Sequence, residues 1–252
     1  MTDKERFDLL MQHVLLMFDY GSSVYGTLTE QSDRDIVCIV DDSCDLSDAF
    51  NRIWEYHDTD NKDYQFLNER DWIEKIKNHH ILWLECYSLP KEHILKGNPD
   101  DYMKFFNLDT WKLRQVCSQI SSNAWAKCHK KLVVEEDYDL YRAQKSLFHS
   151  LRILMFATQI SQHGRIVDYS EANKYWEEIY SMSPFEWPVV KEKYQPISNE
   201  LKSIMVRNCP KPAGYKQPKK KNEKKRIQTV PHMTYQSTWR SLDSAESKEN
   251  DV

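Results

Sequence analysis

The sequence predicts an α+β protein: a segment of strands and helices, followed by an α-helical segment and a polar tail. Three observations predict it. Ile36–Val40 (IVCIV) is an unbroken apolar run rich in β-branched residues, as in a strand covered on both faces, and further short apolar runs lie on either side of it. From about Asp109 onward no strand-like run recurs and the apolar residues fall at helical spacing. Only five glycines occur in 252 residues, which argues against a loop-rich all-β fold. The division expected is 1–97 for the sheet-bearing domain, 105–206 for the helical domain and 207–252 for a disordered basic tail.

Each element follows in order. Residues 3–13 read as a short amphipathic helix through Phe7, Leu10, Met11 and Val14, and Val14–Tyr20 (VLLMFDY) reads as a strand. The turn Gly21–Gly26 can open a helix, with Ser22 as its N-cap. Asp19, inside the first apolar run, reads as a solvent-facing residue on an edge strand. Ile53–Tyr56 and Tyr64–Leu67 form a strand pair joined by the polar stretch Asp58–Lys62. Asn68 is placed to cap the next helix, with Asp71 in its first turn and Trp72, Ile73 and Ile76 on its apolar face. Ile81–Leu89 suits either helix or strand. A boundary is expected near Lys96-Gly97-Asn98-Pro99. Two long helices, 109–134 and 138–163, follow, the second closed by Gly164; a third begins at Ser170 and a fourth covers 185–206.

Bulk properties narrow the class. Hydrophobic residues at 40% and charged residues at 29% are those of an ordinary globular chain. A net charge of −4 marks no general nucleic-acid binder. Six cysteines without a CxxC pair or zinc spacing read as isolated reduced thiols. The charged start Met-Thr-Asp-Lys-Glu-Arg is unlike a secretory signal, and no apolar run approaches the roughly 20 residues of a membrane helix. An intracellular protein, cytoplasmic or nuclear and without a membrane partner, is expected.

The chemistry is concentrated in Gly21-Ser22-Ser23-Val24-Tyr25-Gly26-Thr27 and Ser32-Asp33-Arg34-Asp35-Ile36. Side chains alternate along a strand, so Asp33 and Asp35 at the mouth of one point the same way. Two carboxylates so placed repel unless a cation lies between them. Mg²⁺ favours oxygen ligands and substrate phosphates, and a pair of such ions can clamp a phosphoryl displacement. Upstream, a glycine-bounded turn opening a helix offers N–H groups, and Ser22 a hydroxyl, to nucleotide phosphates. Gly26 would turn the chain back toward the acidic strand.

Over sixteen consecutive residues the spacing G-S-x-x-x-G-T-x-x-x-x-S-D-x-D-I resembles the signature of the DNA polymerase β-like nucleotidyltransferase superfamily, above all its minimal members. The resemblance implies a small mixed β-sheet with flanking helices followed by an α-helical bundle, two bound Mg²⁺ ions (Mn²⁺ as a substitute) and transfer of a nucleoside monophosphate from NTP to an acceptor. It also implies a third carboxylate on a later strand. Asp63 is the best placed for this, since it begins an apolar strand, whereas Asp58 and Asp60 lie in a polar turn. Asp33, Asp35 and Asp63 are thus the expected catalytic and metal-binding set, with Asp63 available to help deprotonate the acceptor.

Elsewhere the signals are weaker. Lys145, His149 and Arg152 recur on one face of the predicted second long helix. They form either a basic stripe for the triphosphate or a solvated face with His149 hydrogen-bonded in the core. Helical domains in related transferases close the nucleotide cleft, so Lys145 and Arg152 join Gly21, Ser22 and Gly26 as expected nucleotide contacts. Tyr64 and Trp83 read as core residues rather than base-stacking platforms, and Glu85, in an apolar run, receives no role. Lys219–Arg226, six basic residues in eight, suits a nuclear-localisation signal, a nucleic-acid contact or a solubilising tail. The acceptor is open among RNA, protein and small molecule. The competing readings are a catalytically silent nucleotide-binding or RNA-binding regulatory protein of the same fold, and a nucleic-acid-binding module acting through the tail.

Overall fold

The computed structural model of the chain describes residues 1–29 and 32–215. The basic run Lys219–Arg226 and the expected tail beyond residue 215 therefore lie outside the described residues, while its expected first residues, 207 and 208, belong to the last helix. Helix α1 (Asp3–Gln12) starts with a capping box, in which the Thr2 hydroxyl accepts from Glu5 N and the Glu5 carboxylate accepts from Thr2 N. It leads into strand β1 (Val14–Tyr20), the one-turn helix α2 (Ser22–Tyr25) and strand β2 (Arg34–Val40). Strands β3 (Ile53–His57) and β4 (Lys62–Asn68) form the expected hairpin, and α3 (Glu69–Lys77) follows directly.

Ile81–Leu89, ambiguous in sequence, contains helix α4 (Ile81–Tyr87); its residues are apolar on most sides because most sides are buried. A short strand, β5 (Ile94–Lys96), was not foreseen, since three residues carry no readable alternation. Helices α5 (Thr110–Val133) and α6 (Leu140–His163) begin at Asp109 and Asp139, whose carboxylates accept from Lys112 N and Arg142 N at 2.9 Å each. Gly164 ends α6 in the left-handed conformation, with φ +73°. The third helix of this part, α7 (Asn173–Ser181), starts three residues later than expected. Asp168 accepts from both the amide and the hydroxyl of Ser170, which holds that segment in a turn. Helix α8 (Trp187–Asn208) completes the bundle.

The sheet order is β3-β4-β2-β1-β5. All neighbours are antiparallel except β2 and β4, which run parallel in unbroken register from Arg34↔Lys62 to Val40↔Asn68. This order corrects the reading of Asp19. β1 is an inner strand, and Asp19 is buried there, its carboxylate 2.8 Å from Arg34 Nε and 2.7 Å from Arg34 Nη2. The capping expected of Asn68 is corrected as well. Its side chain donates to the carbonyls of Asp41 (3.1 Å) and Cys44 (2.9 Å), tying α3 to the loop after β2 instead of closing the helix.

One apolar cluster joins both parts of the chain: Phe18, Ile39 and Trp72 share it with Leu113, Cys117, Ile153, Leu154 and Phe156. Tyr64 and Trp83 are buried side chains, as their core reading requires. All six cysteines are free thiols, five of them buried. Among the described residues no helix is long and apolar enough to cross a membrane.

Candidate active site

The site lies where β1 ends and β2 begins. Tyr20 pairs with Asp35, so the chain leaves β1 directly over the Asp35 side chain. Gly21 makes that turn with φ +70° and ψ −142°, a conformation open chiefly to glycine. A Cβ on Gly21 would stand 2.1 Å from Asp35 Oδ2. Gly21 is thus fixed twice, by its dihedral angle and by contact with the carboxylate.

Ser22 is the first residue of α2, while Gly21 occupies the N-cap position without a side-chain cap. The alternative reading of Ser22 as a simple cap is therefore corrected. Its hydroxyl is buried and has no hydrogen-bond partner among the described residues. The turn is closed by Val24 N and Tyr25 N, both donating to Gly21 O, and by Thr27 N donating to Ser22 O. Gly26 ends it in the left-handed conformation, with φ +73°.

The parallel register of β2 and β4 sets Asp63 directly beside Asp35. With Asp33 they form one group, each offering an oxygen within 4.8 Å of the others. Asp35 is buried, 4% exposed, and Asp33 and Asp63 are half-buried. Asp33 Oδ1 and Asp35 Oδ1 are both buried without a hydrogen-bond partner among the described residues. Burial, then the hydrogen bond and charge of Asp63, push the Asp33 carboxyl from its ordinary 3.8 up to about 6. Burial, then the charges of Asp33 and Asp63, push Asp35 well above the ordinary range. Lys145 opposes both shifts.

Asp58 and Asp60 stand apart from this group. The Asp58 carboxylate accepts from the amides of Asp60 and Lys62 and so shapes the hairpin turn, and Asp60 lies 3.3 Å from Lys62 Nζ. Sequence reasoning missed His57. It lies opposite Asp63 across the β3–β4 pair, its Nδ1 2.5 Å from Asp63 Oδ1. Counting back from Asp63 through the turn would have found it, given the antiparallel pairing.

The structure divides the predicted basic stripe. Lys145 is half-buried on α6, with Nζ 4.6 Å from the centre of the Tyr141 ring, and its charge acts on Asp33 and Asp35. Arg152, two turns further along, is 4% exposed and lies beneath α2. Its guanidinium sits 3.5 Å from the centre of the Tyr25 ring and 3.8 Å from Glu85 Oε2. Arg152, expected as a phosphate contact, thus lies buried against Tyr25 and Glu85. Neither a solvated face nor a single stripe describes the three residues, and His149 is held by Arg152, its Nδ1 2.8 Å from Arg152 Nη2.

Residues 4–107 match the family model described as a nucleotidyltransferase domain. Among solved structures, the chain is similar to a spectinomycin adenyltransferase from Enterococcus faecialis, determined with ATP and spectinomycin, at 10% identity and a TM-score of 0.39, covering 80% of this chain and 97% of that one. It is also similar to a nucleotidyltransferase-like protein from Exiguobacterium sibiricum, at 12% identity and a TM-score of 0.29, covering 77% of this chain and 69% of that one. No curated protein gave a match.

Proposed function

We propose that the chain moves a nucleoside monophosphate from an NTP to an acceptor hydroxyl, with release of pyrophosphate, a reading supported by the match of residues 4–107 to a nucleotidyltransferase-domain model. One observation carries the reading. Three clustered carboxylates, with Asp33 and Asp35 raised in proton affinity, face a glycine turn whose serine hydroxyl is buried and has no hydrogen-bond partner among the described residues.

The donor set fits a hard divalent cation. All its ligand atoms are carboxylate oxygens, and two buried ones, Asp33 Oδ1 and Asp35 Oδ1, lack a hydrogen-bond partner among the described residues. Asp33, Asp35 and Asp63 would hold Mg²⁺, two ions in this reading, with Mn²⁺ as a substitute. When bound, the cation supplies positive charge against the phosphates and the departing pyrophosphate.

The other roles belong to the chain. The Ser22 hydroxyl donates to a phosphate oxygen. Gly21 leaves room for that oxygen beside Asp35, where any side chain would intrude, and Gly26 closes the turn behind it. Lys145 adds a fixed positive charge on the side of α6. Asp63, oriented by His57, accepts the proton of the acceptor hydroxyl. The acceptor oxygen then bonds to the α-phosphorus as the bond from that phosphorus to the bridging oxygen breaks, and pyrophosphate leaves with the electron pair. An RNA 3′ end, a protein side chain and a small molecule all meet the requirement for a hydroxyl.

The test is incubation with each α-labelled NTP, Mg²⁺ and a cell extract, using the wild type, Asp33→Ala and Asp35→Ala. Label should move to an acceptor in the wild type alone. Equal transfer by all three proteins would overturn the reading.

A further inference from the structure

Glu85, in α4, is fully buried, and its Oε1 has no hydrogen-bond partner among the described residues. Its Oε2 accepts a short hydrogen bond from the Tyr25 hydroxyl and lies 3.8 Å from Arg152 Nη2. Arg152, from α6, also covers the Tyr25 ring. Tyr169 fixes α4 from the opposite side by donating to the Glu85 carbonyl at 2.6 Å. Asn173, at the start of α7, donates to the Tyr25 carbonyl at 2.7 Å. Three helices outside the turn thus converge on Tyr25, which holds the last position of the single helical turn that begins with Ser22.

Two physical arguments give this arrangement meaning. A four-residue helix does not persist alone, because fixing the first turn costs more than its hydrogen bonds return. Something outside α2 must hold it. A buried ion pair is also weak evidence for stability, since well-packed apolar replacements are often neutral or stabilising. Its place under the phosphate turn calls for another explanation. Burial pushes the Tyr25 phenol well up, so it stays protonated and keeps donating at neutral pH.

We propose that Glu85 and Arg152 are positioning residues that hold Tyr25, and through it the Gly21–Gly26 turn, in the conformation that presents the Ser22 hydroxyl to a phosphate. The claim that a phosphate is presented rests on the nucleotidyltransferase reading; the claim that the turn is held does not. The helical part of the chain thereby sets the geometry of a turn that belongs to the sheet-bearing part.

Tyr25→Phe keeps the ring on the guanidinium and removes only the hydroxyl. Glu85→Gln keeps the shape and removes the charge, and Asn173→Ala acts from the carbonyl side if either buried variant fails to fold. Hydrogen exchange of peptides spanning residues 20–29 and 110–133 is compared with wild type, together with Mn²⁺ binding followed by EPR and binding of the Mg²⁺ complexes of ATP, GTP, CTP and UTP followed by calorimetry. The expected result is exchange faster by about tenfold in residues 22–27, with residues 110–133 unchanged. Mn²⁺ affinity should be retained, and nucleotide affinity should fall about tenfold, or 1.4 kcal/mol. Exchange in 22–27 equal to wild type, or accelerated equally everywhere, overturns the proposal. Loss of Mn²⁺ binding alongside the nucleotide also overturns it, because the damage would then reach the carboxylates. Failure of the wild type to bind any of the four nucleotides sinks the nucleotidyltransferase reading and the presentation of Ser22, and exchange still decides whether Glu85 and Arg152 hold the turn.

Discussion

At Gly21 and Gly26 two residues of one type carry different constraints. A methyl group at Gly21 meets Asp35 Oδ2 at 2.1 Å, and neither the strand nor the turn can yield without moving that carboxylate. At Gly26 it meets only Asn173 Nδ2, at an ordinary 3.5 Å, so the cost is the left-handed dihedral alone, about 1–2 kcal/mol. Gly21→Ala should abolish Mg²⁺-dependent stabilisation by nucleotide in a thermal melt, while Gly26→Ala should lower the melting temperature and keep that stabilisation. Equal behaviour of the two variants would refute the distinction. Proton affinity gives a second prediction. Asp33 is raised from 3.8 to about 6, so without cation the native state holds a proton that the unfolded chain has lost across that window. The stability it contributes is complete below pH 3.8 and disappears as pH rises through about 6. Asp35 shifts in the same direction. Cation binding needs the deprotonated forms and gains over the same range. The melting temperature of the metal-free protein should therefore fall from pH 5 to pH 7, and added Mg²⁺ should oppose the fall. Superimposable profiles with and without Mg²⁺ would sink this account.

Among the elements, the parallel pairing of β2 with β4 does most to assemble the site, because a slip of one residue would carry Asp63 to the other face. The end of that pairing is held by Asn68, which spans to two carbonyls of the loop after β2. Asn68→Ala removes both donations and should cost about 1–3 kcal/mol in urea unfolding; a change within error would show that the loop is held by other contacts. β1, β2, the hairpin and the long helices were legible because each announces itself locally, through β-branched runs, a polar turn or an Asp cap before helical spacing. The strand order was not. Asp19 was misread because its partner Arg34 becomes a neighbour only when β1 and β2 pair and β5 covers the outer edge of β1. The Gly21–Asp35 half of the site could be read as contiguous chain, and Asp63 by its place at a strand start. His57 could have been counted from Asp63 through the hairpin turn, whereas the burial of Arg152 depends on which elements meet, which one sequence does not state.

Over the whole molecule, the apolar cluster disregards the end of the matched domain at residue 107. Leu113, Ile153, Leu154, Phe156, Ile160 and Met205 complete the packing of residues from β1, β2 and α3. Full burial of such a side chain is worth about 1.5–3 kcal/mol. Removing these partners therefore takes away interactions comparable with the net stability of a domain, about 5–15 kcal/mol. A fragment of residues 1–107 should show no cooperative thermal transition by circular dichroism, whereas residues 1–215 should unfold in one. A sharp transition in the short fragment would show that the sheet-bearing part is self-sufficient.

The acidic mouth of the site has a kinetic consequence for whatever diffuses toward it. Three clustered carboxylates generate a field that a bare nucleoside triphosphate must climb, and a triphosphate already carrying its ion must climb less. Raising the ionic strength shortens the reach of that field, to about 10 Å at 0.1 M salt. Salt should accordingly speed the arrival of the bare nucleotide more than that of the ion-loaded form, which keeps a smaller negative charge. Stopped-flow traces across a salt series would then show selection at the moment of encounter, before the ligand is bound.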